Sequence, residues 1–137
     1  MLTLHASTVA WNGRAVLITG AAGSGKSTLA LQLMGYGCSL IADDATQLEV
    51  VDRALVASCP PPLTGLIEAR GTGLLNAHSL PRAPVTLCIT LDLIETERLP
   101  PWRIVTYLGC ALPLLHKVET GHFAAAVLQY VKQGRRS

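Results

Sequence analysis

Hydrophobic positions recur along this chain with a period near two far more often than with a period near 3.6. "LTLHASTVAW" alternates loosely and reads as a strand, Asn12-Gly13 is a hairpin signal, and "RAVLITG" returns as its partner. From Ser27 to Met34 the period changes: Leu29, Ala30, Leu33 and Met34 fall at helical spacing, with Gly35 and Gly37 as C-terminal stops. "CSLIAD" is a short buried strand, and "TQLEVV" with "ALVAS" forms a second hairpin. Pro60 to Pro62 break the chain. "LTGLIEARGTGLLN" reads as one strand flanked by glycines, "VTLCITLDL" as a buried strand, and "WRIVTYLGCALPLL" as one or two more. His122 to Lys132 places Ala124, Val127, Leu128 and Val131 on one helical face. Strands joined by hairpins, with only two helices, predict an α+β fold built on a mixed sheet rather than strict βαβ alternation.

Composition narrows the functional classes. The chain has 137 residues, enough for one domain with a real core, and half are apolar, which excludes a disordered chain. No apolar run approaches the roughly 20 residues of a membrane span, and "MLTLHAST" lacks the basic and apolar regions of a signal peptide. Eleven basic against nine acidic side chains give a net charge of +2, too balanced to indicate nucleic acid as a partner. Cys38, Cys59, Cys88 and Cys110 are widely spaced and form no C-x-x-C pair. They are expected as reduced thiols in a cytoplasmic protein.

The chemistry is concentrated near the front. "GAAGSGKS" fits G-x-x-x-x-G-K-[ST] without a mismatch through Gly20, Gly25, Lys26 and Ser27, and it follows a strand and opens a helix. In such a loop, Gly20, Ala21, Ala22, Gly23, Ser24, Gly25, Lys26, Ser27 and Thr28 cradle phosphates through backbone N–H groups and the helix N-terminus. The Lys26 ammonium adds a point charge and the Ser27 hydroxyl a Mg²⁺ ligand. The motif specifies a nucleotide phosphate site and not a reaction. A metal-orienting aspartate at a strand end could be Asp92 in "LCITLD" or the pair Asp43-Asp44 in "SLIADD"; pattern alone leaves both open. His78, His116 and His122 share no metal-ligand spacing, and Trp11 and Trp102 are expected to pack at the core or its rim.

In order along the chain, "LHAS", "VLITGAAGSGKSTLALQL", "LIADD", "PPPLTGLIEARGTGLLN" and "ERLP" together resemble the catalytic domain of HPr kinase/phosphorylase, which acts on a serine of the phosphocarrier protein HPr. "IEARGTGLLN" is the more discriminating segment, because the P-loop is shared by many unrelated proteins. The resemblance runs from His5 to about Val118. It implies a fold like phosphoenolpyruvate carboxykinase, a mixed sheet around the P-loop, in a single domain spanning 1–137 without a separate N-terminal domain. It implies ATP and Mg²⁺ as cofactors, with pyrophosphate or phosphate as alternative ligands, HPr as partner and a hexameric assembly. Ser27 and Glu68 would hold Mg²⁺. Asp43 would be the base that takes the serine proton, with Asp44 supporting it, and His5, Lys26 and Arg98 would complete the catalytic set. A hydroxyl nucleophile needs such a base within hydrogen-bond reach.

The late segment "KVETGHFAA" departs from that family, with His122 where an arginine is expected. That change predicts kinase activity in excess of the reverse phosphorolysis. Two other readings of the P-loop stand beside this one: a small-molecule kinase relying on Asp92, and a nucleotide-binding regulator without turnover.

Overall fold

The computed structural model describes all residues, Met1–Ser137. Strand β1 (Leu2–Leu4) leads into β2 (Ala6–Trp11), which pairs antiparallel with β3 (Arg14–Thr19). The intervening turn puts Asn12 and Gly13 at φ 49° and 75°, the left-handed geometry that two-residue hairpins require. The phosphate loop follows β3 and opens helix α1 (Lys26–Gly35), after which β4 (Ser39–Ala42) pairs antiparallel with β2. Strands β5 (Thr46–Val51) and β6 (Ala54–Ser58) form the second hairpin, and a 3₁₀ turn at Pro61–Leu63 follows the chain break.

The longest strand, β9 (Arg82–Ile94), organises the rest. Its first residues pair antiparallel with β6, and Val85 to Thr90 pair parallel with β3. On the side opposite β3, Cys88 to Ile94 take up β11 (Cys110–Lys117), which carries β10 (Ile104–Tyr107) on its outer edge. The result is a nine-stranded mixed sheet whose main path runs β1-β5-β6-β9-β3-β2-β4, with helix α2 (Phe123–Gln133) closing the chain.

Successive side chains of a strand face opposite sides, so the unbroken apolar run of β3 must feed two cores. Val16 and Ile18 join the cluster under α1 and α2 with Leu29, Leu33, Val127 and Leu128, while Ala15 and Leu17 join the other with Leu48, Leu55 and Val85. The helices pack on the first cluster, and residues of β1, β5, β6, β10 and β11 pack on the second. Cys88 sits in the second cluster, and burial pushes its thiol up to about 12. All four cysteines are free thiols.

Two expected elements divide. "LTLHASTVAW" breaks at His5 because the chain changes partners there: Leu4 pairs with Thr46 of β5 and Ala6 with Thr19 of β3. "LTGLIEARGTGLLN" is a hairpin, β7 (Leu66–Ala69) and β8 (Gly73–Asn76), forming a separate two-stranded sheet. Its turn passes through Gly71 at φ 87°, and Thr72 N–H closes it on Ala69 C=O at 2.9 Å. The late apolar run is likewise two strands, turned at Leu108-Gly109. No helix is long and apolar enough to cross a membrane.

Candidate active site

The loop Gly20–Gly25 is held from three directions. A Cβ at Gly20 would meet Ser24 Oγ at 2.5 Å and Leu91 Cβ at 3.2 Å, so the first glycine of the motif answers a space constraint as well as its φ of 152°. Gly25 caps α1 in the left-handed region, at φ 101°. The Lys26 ammonium, almost fully buried, donates back to Gly20 C=O at 2.8 Å and Ala21 C=O at 3.0 Å. The parallel β3–β9 pairing carries Asp92 alongside the loop, where its Oδ1 accepts Ala21 N–H at 2.9 Å. The open amides of the first helical turn, the aligned dipole and the lysine suit this end of α1 to holding an anion.

Both aspartates of "SLIADD" leave β4 beside the P-loop, but they point into different surroundings. Asp43 is 7% exposed and accepts three hydrogen bonds: Ser7 Oγ and Ser27 Oγ on Oδ1, each at 2.7 Å, and Glu68 N–H on Oδ2 at 3.0 Å. It thereby ties together β2, the start of α1 and the β7–β8 hairpin. Asp44 turns away at φ 69°, a region that aspartate tolerates better than most residues. Its Oδ1 meets His5 Nε2 at 2.6 Å, and both side chains are more than half exposed. The break between β1 and β2 is what frees His5 to reach it.

An open cleft of ≈ 290 Å³ lies over this junction. His5, Lys26, Ser27, Asp44, Glu68 and Arg70 line it together with P-loop residues, so basic side chains and carboxylates share one small volume. A doubly polar cleft of this kind suits phosphate chemistry better than apolar ligands. No group of three His, Cys, Asp or Glu side chains could hold a metal ion alone. Mg²⁺ needs less: it is commonly held by one or two carboxylates, a hydroxyl, waters and the substrate phosphates, and Ser27 with Glu68 offers such hard oxygens.

Against the sequence-based expectations, His5, Lys26, Ser27, Asp44 and Glu68 come together, and Asp43 stands directly behind them without lining the cleft. Asp43 is buried and accepts from Ser7, Ser27 and the Glu68 amide, so it meets the cleft through Ser27 rather than by lining it. Arg98 is exposed in the β9–β10 connection and does not line the cleft. The anchored residue there is Arg103, whose guanidinium hydrogen bonds hold the Glu95 carboxyl below its usual range. His122 is exposed at the N-terminus of α2 and lines neither this cleft nor its neighbour. Trp11 packs at a rim under Arg14 and Lys132, and the exposed Trp102 is stacked by Arg135. Two residues carry more than the sequence reading assigned them. Arg70, given no role there, lines the cleft beyond the end of β7; Ser7 had no signal beyond its place in "LHAS".

The matching protein-family model is described as HPr Serine kinase C-terminal domain and covers residues 1–94. Two curated relatives, each named HPr kinase/phosphorylase, come from Xanthomonas campestris pv. campestris (strain B100) and Xanthomonas oryzae pv. oryzae (strain PXO99A). Both are 44% identical over 80 residues, 58% of this chain and 25% of theirs. The chain thus spans about a quarter of the length of those relatives. Among solved structures, the Hpr(Ser) kinase/phosphatase from Coxiella burnetii superposes with a TM-score of 0.81 at 26% identity, over 96% of this chain and 95% of that one. The structural likeness therefore continues through β10, β11 and α2, beyond the reach of the family model.

Proposed function

The chain belongs to the HPr serine kinase C-terminal domain family, and from that membership we propose that it transfers the γ-phosphoryl group of ATP to a serine hydroxyl of HPr. The observation that carries this reading is the placement of Asp44, with one oxygen on His5, in the same small cleft as Lys26 and Ser27. A protein kinase needs a base beside the phosphate site where an incoming hydroxyl can reach it, and a deeply enclosed pocket would exclude a protein substrate.

The geometry supports a division of labour that reverses the expected one. Lys26 and the loop amides hold the β- and γ-phosphates. Asp44 takes the proton as the serine oxygen bonds to phosphorus and the bond to the ADP oxygen breaks; His5 orients that carboxylate. Asp43 holds Ser27 and the Glu68 strand in register rather than meeting the substrate. Arg70 is better placed than Arg98 to neutralise the transferred group. Mg²⁺ held through Ser27 and Glu68 would screen the phosphate charge.

The test is labelling of purified HPr with γ-labelled ATP. The expected result is phosphoserine formation that falls about 10²–10⁴-fold in Asp44→Asn with ATP binding retained, the range a positioned base contributes. Full activity in Asp44→Asn with loss in Asp92→Ala would favour the small-molecule kinase. ATP binding with no label on HPr would favour a nucleotide-binding regulator. Pyrophosphate release from seryl-phosphorylated HPr and phosphate is expected to stay below the forward rate at neutral pH. That direction gathers two anions, and the late segment "KVETGHFAA" has no arginine, while its His122 does not line the cleft.

A further inference from the structure

A second depression of ≈ 360 Å³ adjoins the phosphate cleft, between α1 and the Lys117–Gly121 segment that joins β11 to α2. The two share Gly25 and Thr28, so a molecule with its phosphates at the P-loop can pass over the first turn of α1 directly into this groove. Its chemistry differs from that of the cleft. Leu29, Leu91 and Phe123, all buried in the helix-side core, and Val118 packed against them, give it an apolar floor. Gln32 and Thr120 stand at its sides with both donor and acceptor capacity. Ser24, whose buried hydroxyl has no partner within the protein, lies on the P-loop wall. Hydrogen bonds from Glu95 N–H to Lys117 C=O and from Thr120 N–H to Val118 C=O, at 2.8 and 3.0 Å, hold the outer wall in place.

We propose that this groove is the nucleoside subsite: base and ribose lie on Leu91, Val118 and Phe123, with the base edge read by Gln32 and Thr120. The volume lies within the ~300–1,000 Å³ typical of ligand pockets, and an apolar floor with polar walls, here including the charged Lys117 and Glu119, is the usual design for a planar heteroaromatic group joined to a sugar. The proposal rests on the reading that Gly20–Ser27 binds the phosphates. It assigns the late segment, the part of the chain outside the family-model match, a role in choosing the nucleotide.

ADP and pyrophosphate distinguish the two halves of the site, because only ADP carries a nucleoside. Calorimetric titration of the whole chain with each, in Mg²⁺, is expected to show ADP binding weakened roughly tenfold in Val118→Trp, which fills the groove, with pyrophosphate affinity unchanged. Gln32→Ala, an exposed position that cannot threaten folding, is expected to weaken ADP several-fold, again without effect on pyrophosphate. Pyrophosphate binding by the unaltered protein together with ADP affinity indifferent to both substitutions overturns the subsite alone. Failure of the unaltered protein to bind pyrophosphate overturns the phosphate reading, and the subsite with it.

Discussion

Asp43 and Asp44 are chemically identical neighbours in different surroundings, one buried and one exposed, and stability measurements separate them. Removing the Asp43 carboxylate strands two hydroxyls and an amide in a buried junction, and hydrogen bonds to a charged acceptor contribute about 1.5–3 kcal/mol each. Because such losses overlap within one network, Asp43→Ala is expected to cost about 2–4 kcal/mol in urea unfolding. Asp44→Asn retains a residue that accepts the left-handed backbone and loses only an exposed pair, so it should stay within about 0.5 kcal/mol of the parent. Equal destabilisation by the two changes would contradict the division of roles drawn from their surroundings. Ser7 belongs to the same network, and Ser7→Ala should reproduce part of the Asp43→Ala loss.

At the scale of elements, the P-loop depends on β9 as much as on its own glycines. Asp92 reaches Ala21 N–H only because β3 and β9 run parallel and in register up to Thr19 and Thr90. Asp92→Ala should loosen the loop and weaken pyrophosphate binding several-fold while leaving phosphoryl transfer detectable; complete loss of transfer with intact binding would restore Asp92 as a metal-orienting group. The β5–β6 turn offers a different test. Asp52 and Arg53 both adopt positive φ, at 50° and 67°, where the first hairpin has Asn12-Gly13. A side chain in that region costs roughly 1–2 kcal/mol, offset in part by the greater freedom glycine has when unfolded. Arg53→Gly is therefore expected to raise stability by about 0.5–1 kcal/mol, read as a higher urea midpoint. A lower midpoint would mean that Arg53 makes a stabilising contact outweighing its backbone strain.

On the scale of the whole molecule, several strongly exposed apolar residues fall in one stretch of chain around β10. Ile94, Leu99, Trp102 and Ile104 are each more than half exposed, and β10 is an edge strand paired only with β11. A concentrated apolar surface on an open edge is where association is expected. The family resemblance implies a hexamer, and light scattering of the purified chain is predicted to give a mass several times that of one copy. Ile104→Glu should shift it toward the monomer without changing the circular dichroism spectrum. A parent protein that is already monomeric at high concentration would remove this face as an interface.

What could be read from the sequence was local. The P-loop, the first two hairpins and both helices follow from residue type and spacing over a dozen positions, where backbone preference and periodic burial act within one segment. "IEARGTGLLN" also announced a site, although not its turn, because a glycine that reverses a chain and one that merely flanks a strand look alike in sequence. The partnerships were decided in three dimensions. Which aspartate faces the cleft depends on a bend at Asp44 and on hydroxyls and an amide supplied by β2, α1 and β7; Arg70 lines the cleft, as Arg98 does not, because the small β7–β8 sheet lies against α1. Long-range pairing sets those contacts. A strand's sequence records which face will be buried but not which neighbour will bury it, and the chemistry of this site lies at the meeting of neighbours.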